Sequence, residues 1–116
     1  MTRSYDNKFD KGKLRHDLVI PEVVEALAGV MTYGAEKYSP DSWKLVDDPV
    51  NRYYSALLRH IYAYRRGEVN DQESQLEHLA HALANIQFLM YFEKEKQECH
   101  CMNSNVTNVD SNLKTS

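Results

Sequence analysis

The chain has 116 residues, 42% of them hydrophobic and 27% charged, with a formal net charge of −3. That length suggests one domain, and the mildly acidic balance argues against general binding to a nucleic-acid polymer, which takes a net basic surface. No apolar run reaches transmembrane length, no secretory leader opens the sequence, and Cys99 and Cys101 cannot build a disulfide framework; the expectation is a cytoplasmic protein without a membrane partner.

Residues 1–10 are polar and expected to be extended. Lys11-Gly12-Lys13-Leu14-Arg15 is basic around one flexible glycine. Pro21 suits a first helical position, and Val23, Val24, Leu27, Val30 and Met31 repeat at helical spacing. A first helix is expected from Pro21 to Tyr33 or slightly beyond, with Gly34 as a stop or a point of close approach. Ser39-Pro40-Asp41-Ser42 and Asp47-Asp48-Pro49 are turn signals flanking Trp43. Pro49 then starts a second helix capped by Asp48 or Asp47, with Tyr54, Leu57, Leu58, Ile61 and Tyr62 as its apolar stripe. Arg65-Arg66-Gly67 ends it. A third helix, capped by Asn70 or Asp71, is expected from Glu73 to Glu95 on the spacing of Leu76, Leu79, Leu83, Ile86 and Met90. Residues 1–98 should form an all-α antiparallel bundle, and residues 99–116, rich in Asn, Ser and Thr, a disordered tail. A core this small is marginal alone, so pairing with a second copy is expected.

His78, His81 and Asn85 fall at i, i+3 and i+7, along one stripe of the third helix, which Ser74 extends. Histidines ligate metals, move protons and donate to phosphates; the blander reading is a polar seam bonded to neighbouring helices. Two histidines with an asparagine tilt the balance towards a site. On the second helix Arg52 and Arg59 suit phosphate or carboxylate clamps as well as a dimer seam or solvent, and His60 lies beside Arg59. Glu22 and Glu25 form a helical carboxylate pair, more ordinary as a solvated face. Asp71, Glu73 and Glu77 fit the acid preference of a helix start, and they also offer oxygen ligands near the histidines. Lys13 and Lys37 are candidate phosphate contacts. Trp43 suits both a platform for a base and a plug over the bundle end.

The run Leu57-Leu58-Arg59-His60 through Tyr64-Arg65-Arg66-Gly67-Glu68, then Asp71, Glu73-Ser74 and His78-Leu79-Ala80-His81-Ala82-Leu83-Ala84-Asn85, resembles a phage and bacterial family of dATP/dGTP diphosphohydrolase-like proteins. So do Lys11-Gly12-Lys13-Leu14 and Tyr33-Gly34-Ala35-Glu36-Lys37-Tyr38 with Trp43. The resemblance spans roughly Lys11 to Phe92. That family is in turn similar to the all-α nucleotide pyrophosphatases of the MazG type, which cleave a nucleoside triphosphate to monophosphate and pyrophosphate. The resemblance implies a MazG-like helical bundle, a homo-oligomer (dimer or dimer of dimers), a divalent metal (Mg²⁺ or Mn²⁺ ahead of Zn²⁺), a purine deoxynucleotide substrate and, for a phage protein, the host cytoplasm. One departure stands out. Where MazG-type helices carry Glu-Glu-x-x-Glu and Glu-x-x-Asp, this chain has Arg59, His60 and Ala63, then His78 and His81. Either Glu22, Glu25, Asp71, Glu73 or Glu77 supplies the oxygen ligands, or the site works differently.

Three functions follow as expectations. The first is metal-dependent hydrolysis of purine deoxynucleoside triphosphates. In it His60, His78 and His81 act in catalysis, and Asp71, Glu77, His78 and His81 hold metal. Lys13, Lys37, Trp43, Arg52, Arg59 and Asn85 contact substrate. The second is a non-catalytic module that sequesters a nucleotide, such as an immune signal. The third is a structural subunit without a small ligand.

Overall fold

The computed structural model describes residues 12–106. The expectations for residues 1–11 and 107–116 lie outside that range. Three helices carry the fold: α1 (Pro21–Lys37), α2 (Pro49–Arg65) and α3 (His78–Val106). Short 3-10 turns at His16–Leu18 and Ser42–Leu45 precede α1 and α2. Among the described residues the only strand-like pairing is a single bridge between Asn70 and Glu77.

Proline opens both α1 and α2, where its missing N–H costs nothing and its fixed φ is already helical. Gly34 does not stop α1. The helix passes through it to Lys37, and the Gly34 carbonyl accepts the Tyr38 N–H at 2.9 Å. A helical glycine costs only about 1 kcal/mol, and Ala35, Glu36 and Lys37 behind it are good helix formers. Asp48 occupies the position before α2, as expected, but its side chain caps no backbone N–H. It sits at φ +51°, and its carboxylate instead accepts from the Asn51 side chain. At the far end Gly67, at φ +104°, turns the chain so that the Glu68 N–H reaches the Ala63 carbonyl at 3.0 Å.

The expected start of α3 at Glu73 is corrected to His78. The Asp71 carboxylate accepts the backbone N–H groups of Glu73 and Ser74 at 3.1 and 2.8 Å, a local turn that competes with helix formation. Gln75 then takes a left-handed φ of +64°, which no helix interior tolerates. Backbone bonds from Asp71 N to Leu76 O (2.7 Å) and from His78 N to Val69 O (2.8 Å) close the turn. At the other end α3 runs past the expected Glu95 to Val106.

α3 is the central element, with α2 packed along it and α1 against it. Val30 of α1 meets Ala80 and Ala84 of α3, flanked by Leu27, Met31 and Phe88. Ala63 and Ala82 are also buried, so short side chains let the helices approach closely. The antiparallel register is visible in the pairings: His60 meets His78, while Tyr53, two turns earlier, meets Phe88 and Phe92.

Candidate functional site

The register of α2 on α3 and the closed turn before α3 bring three histidines together. The Nδ1 atoms of His60 and His78 lie 2.8 Å apart. The His81 ring stacks on His60 with centroids 4.6 Å apart and planes 9° from parallel. Asp71 comes in from the turn. One donor atom each from His60, Asp71 and His78 lies within 4.8 Å of the others.

The electrostatics keep this cluster in a ligand-ready state. Burial, reinforced by the neighbouring His81 and His78, lowers the His60 pKa to about 4. Burial lowers His81 as well, against the pull of Asp71. Both rings are therefore neutral at physiological pH, the form that ligates metal. Burial alone would raise the Asp71 carboxyl, but the hydrogen bonds from Ser74 and the nearby histidines hold it below its usual value. It stays an anion. The imidazoles of His60 and His78 with the Asp71 carboxylate form a mixed nitrogen–oxygen donor set, suited to Mn²⁺ or Zn²⁺ more than to Mg²⁺, which favours oxygen ligands.

Beside the cluster opens a cleft of about 500 Å³. Tyr33, Lys37 and Tyr38 from the end of α1, Trp43 from the following turn, Arg52 from α2 and His81 from α3 all line it. His81 thus belongs to both features. Trp43 stacks on Phe88 at 4.5 Å and meets Tyr91 edge-on at 5.0 Å, so it plugs the bundle while forming part of the cleft wall. The Tyr53 hydroxyl donates to the Trp43 carbonyl at 2.6 Å and fixes that segment to α2. Lys37 is paired with the Glu73 carboxylate, which also accepts from the Tyr33 hydroxyl at 3.1 Å.

The remaining expected site residues sit elsewhere. Lys13 and Arg59 are exposed and do not line the cleft. Glu77 is exposed at the bridge with Asn70, and among the described residues it joins no converging group of ligands. Glu22 and Glu25 are exposed on α1. His81 pairs its Nε2 with Ser74 Oγ at 2.7 Å. Asn85 is buried and donates to the His81 carbonyl one turn back, at 2.8 Å. Glu68 was not expected at the site, yet its Oε1 lies 3.7 Å from His78 Nε2. Its position after the helix-ending Gly67 gave no hint, because the contact exists only once the turn closes.

The family model described as "dATP/dGTP diphosphohydrolase, N-terminal" matches residues 3–101. The chain belongs to this family. A dATP/dGTP diphosphohydrolase of Salmonella phage PMBT28 is 31% identical over 84 residues, or 72% of this chain. The same stretch covers 28% of the phage protein, so the chain corresponds to less than a third of that relative's length. No solved structure matches. The matched span takes in this chain's cleft residues from Tyr33 to His81 and the His60–Asp71–His78 cluster.

Proposed function

We propose that this chain binds a purine deoxynucleoside triphosphate in the cleft and hydrolyses it to monophosphate and pyrophosphate at the adjoining His60–Asp71–His78 cluster. The observation that carries this reading is the double membership of His81, which lines the cleft and stacks on His60. A nucleotide seated with its base among Tyr38 and Trp43 has its phosphates beside the cluster. The name of the phage relative supports the substrate class.

His60, Asp71 and His78 would hold a divalent ion, with Mn²⁺ the best match to the donor set. When bound, such an ion supplies charge neutralisation at the phosphates and a lowered pKa for a coordinated water. The chain's own groups do the rest. Arg52 offers a planar, bidentate grip on a phosphate. Lys37 exchanges its Glu73 partner for substrate oxygens. Neutral His81, at the boundary, is placed to take a proton from the attacking water. The aromatic and aliphatic walls keep bulk water from the base. The active form is proposed to be a homo-oligomer.

The test is incubation of the full chain with each of the four deoxynucleoside triphosphates and Mn²⁺ or Mg²⁺, followed by chromatography. The reading expects monophosphate and pyrophosphate from dATP or dGTP, faster with Mn²⁺. Nucleotide bound tightly but recovered intact would favour a sequestering module instead.

A further inference from the structure

Among the described residues, His78 Nε2 is the only buried side-chain nitrogen or oxygen without a hydrogen-bond partner. The residue is 5% exposed, and the other ring nitrogen faces His60. What Nε2 faces is the Glu68 carboxylate, 3.7 Å away. A hydrogen bond spans about 2.9 Å, so a movement of under about 1 Å by the half-buried Glu68 side chain completes one. The backbone of Glu68 is already anchored for this. Gly67 holds φ at +104°, the Glu68 N–H is bonded to Ala63 O, and the next carbonyl, Val69 O, accepts the His78 N–H at 2.8 Å. Both residues are thus pinned to the same short stretch of chain.

A neutral imidazole carries its proton on one nitrogen and a lone pair on the other. A carboxylate facing Nε2 attracts a proton there and repels a lone pair. We infer that Glu68 is a positioning residue: it holds the His78 ring in the Nε2–H tautomer and thereby turns the Nδ1 lone pair towards His60. Within the 2.8 Å contact His60 Nδ1 is then the donor and His78 Nδ1 the acceptor. An outer carboxylate that fixes a ligand histidine in this way also raises its basicity. The consequence for ion binding rests on the proposed centre of His60, Asp71 and His78, whereas the tautomer itself does not.

The experiment is a long-range ¹H–¹⁵N correlation spectrum of the chelator-treated full chain at mildly alkaline pH, with His78 assigned by its loss in His78→Asn. Wild type is expected to show the Nε2–H tautomer. Glu68→Gln, whose amide offers both an acceptor and a donor, should give a mixture, and Glu68→Ala should raise the Nδ1–H share further. The Gln variant keeps the side-chain shape and supplies the readout even if Glu68→Ala does not fold. Titration with Co²⁺, followed by visible absorption, should show affinity about 10–100-fold weaker in Glu68→Ala. A wild-type ring protonated at Nδ1, or one tautomer ratio shared by all three proteins, overturns the inference. The expected tautomers with no Co²⁺ uptake by wild type would uphold Glu68's role and contradict the ion centre instead.

Discussion

At the scale of single residues, Asp71 combines two duties that one substitution separates. One carboxylate oxygen accepts the Glu73 and Ser74 N–H groups and shapes the turn before α3. The negative charge serves the cluster with His60 and His78. Asp71→Asn retains a side-chain oxygen for the turn but removes the charge. The expected outcome is a melting temperature within a few degrees of wild type together with severely weakened Mn²⁺ binding. Asp71→Ala should lose both, at a cost of about 1–2 kcal/mol for the turn, read by denaturant melts. The sequence made part of this site legible: Asp71 and His78 stood out as metal-ligand types, and His60 as a catalytic candidate. The helical stripe of His78, His81 and Asn85 was a weaker guide to roles. One helix face here meets three surroundings, namely a buried histidine pair, the cleft wall and a local backbone bond. Ser74 lies inside the helix that periodicity suggested but outside the one that forms, and it reaches His81 across the turn. Periodicity describes positions along an element and is silent about a contact made by a turn folding back.

At the scale of elements, the segment between α1 and α2 is held on the bundle by the Tyr53 hydrogen bond to the Trp43 carbonyl and by stacking of Trp43 on Phe88. Burial raises the Tyr53 pKa above its ordinary value of 10.0, opposed by Arg52. A phenol whose folded pKa exceeds its unfolded one contributes stability that is fully present below about pH 10 and is lost as pH rises through the folded value. Tyr53→Phe should therefore cost about 1 kcal/mol near neutrality. It should also show a smaller further loss than wild type above pH 10, measured by urea titrations across that range. The two proline-initiated helices were readable because proline and its flanking turn residues act locally. The start of α3 was not, because the Asp71 side chain and a left-handed Gln75 override an otherwise helical pattern.

At the scale of the whole molecule, the buried apolar set of Val30, Ala63, Ala80, Ala82 and Ala84 is short of large side chains. Val50, Ile86 and Met90 are exposed, at 53%, 41% and 58%, and they line a second groove on the α2–α3 face. A second copy of the chain covering this face would supply the missing burial. Sedimentation velocity should show a dimer or larger assembly, and Ile86→Lys combined with Met90→Lys should shift it to monomer and lower its melting temperature. A wild-type monomer at all concentrations would contradict this. No helix among the described residues is long and apolar enough to cross a membrane. The helical class and the small core followed from composition and patterning, whereas the cleft arose from how the segment after α1 wraps over Phe88, which no periodicity encodes.

The central claim, that His60, Asp71 and His78 form one ion centre beside a nucleotide cleft, is tested most directly by calorimetric titration of Mn²⁺ into the full chain. The titration is made with and without a non-hydrolysable dGTP analogue, in wild type and His60→Ala. One site per chain is expected in wild type, tightened by the analogue and absent from the folded His60→Ala variant. Equal Mn²⁺ binding by both proteins would contradict it.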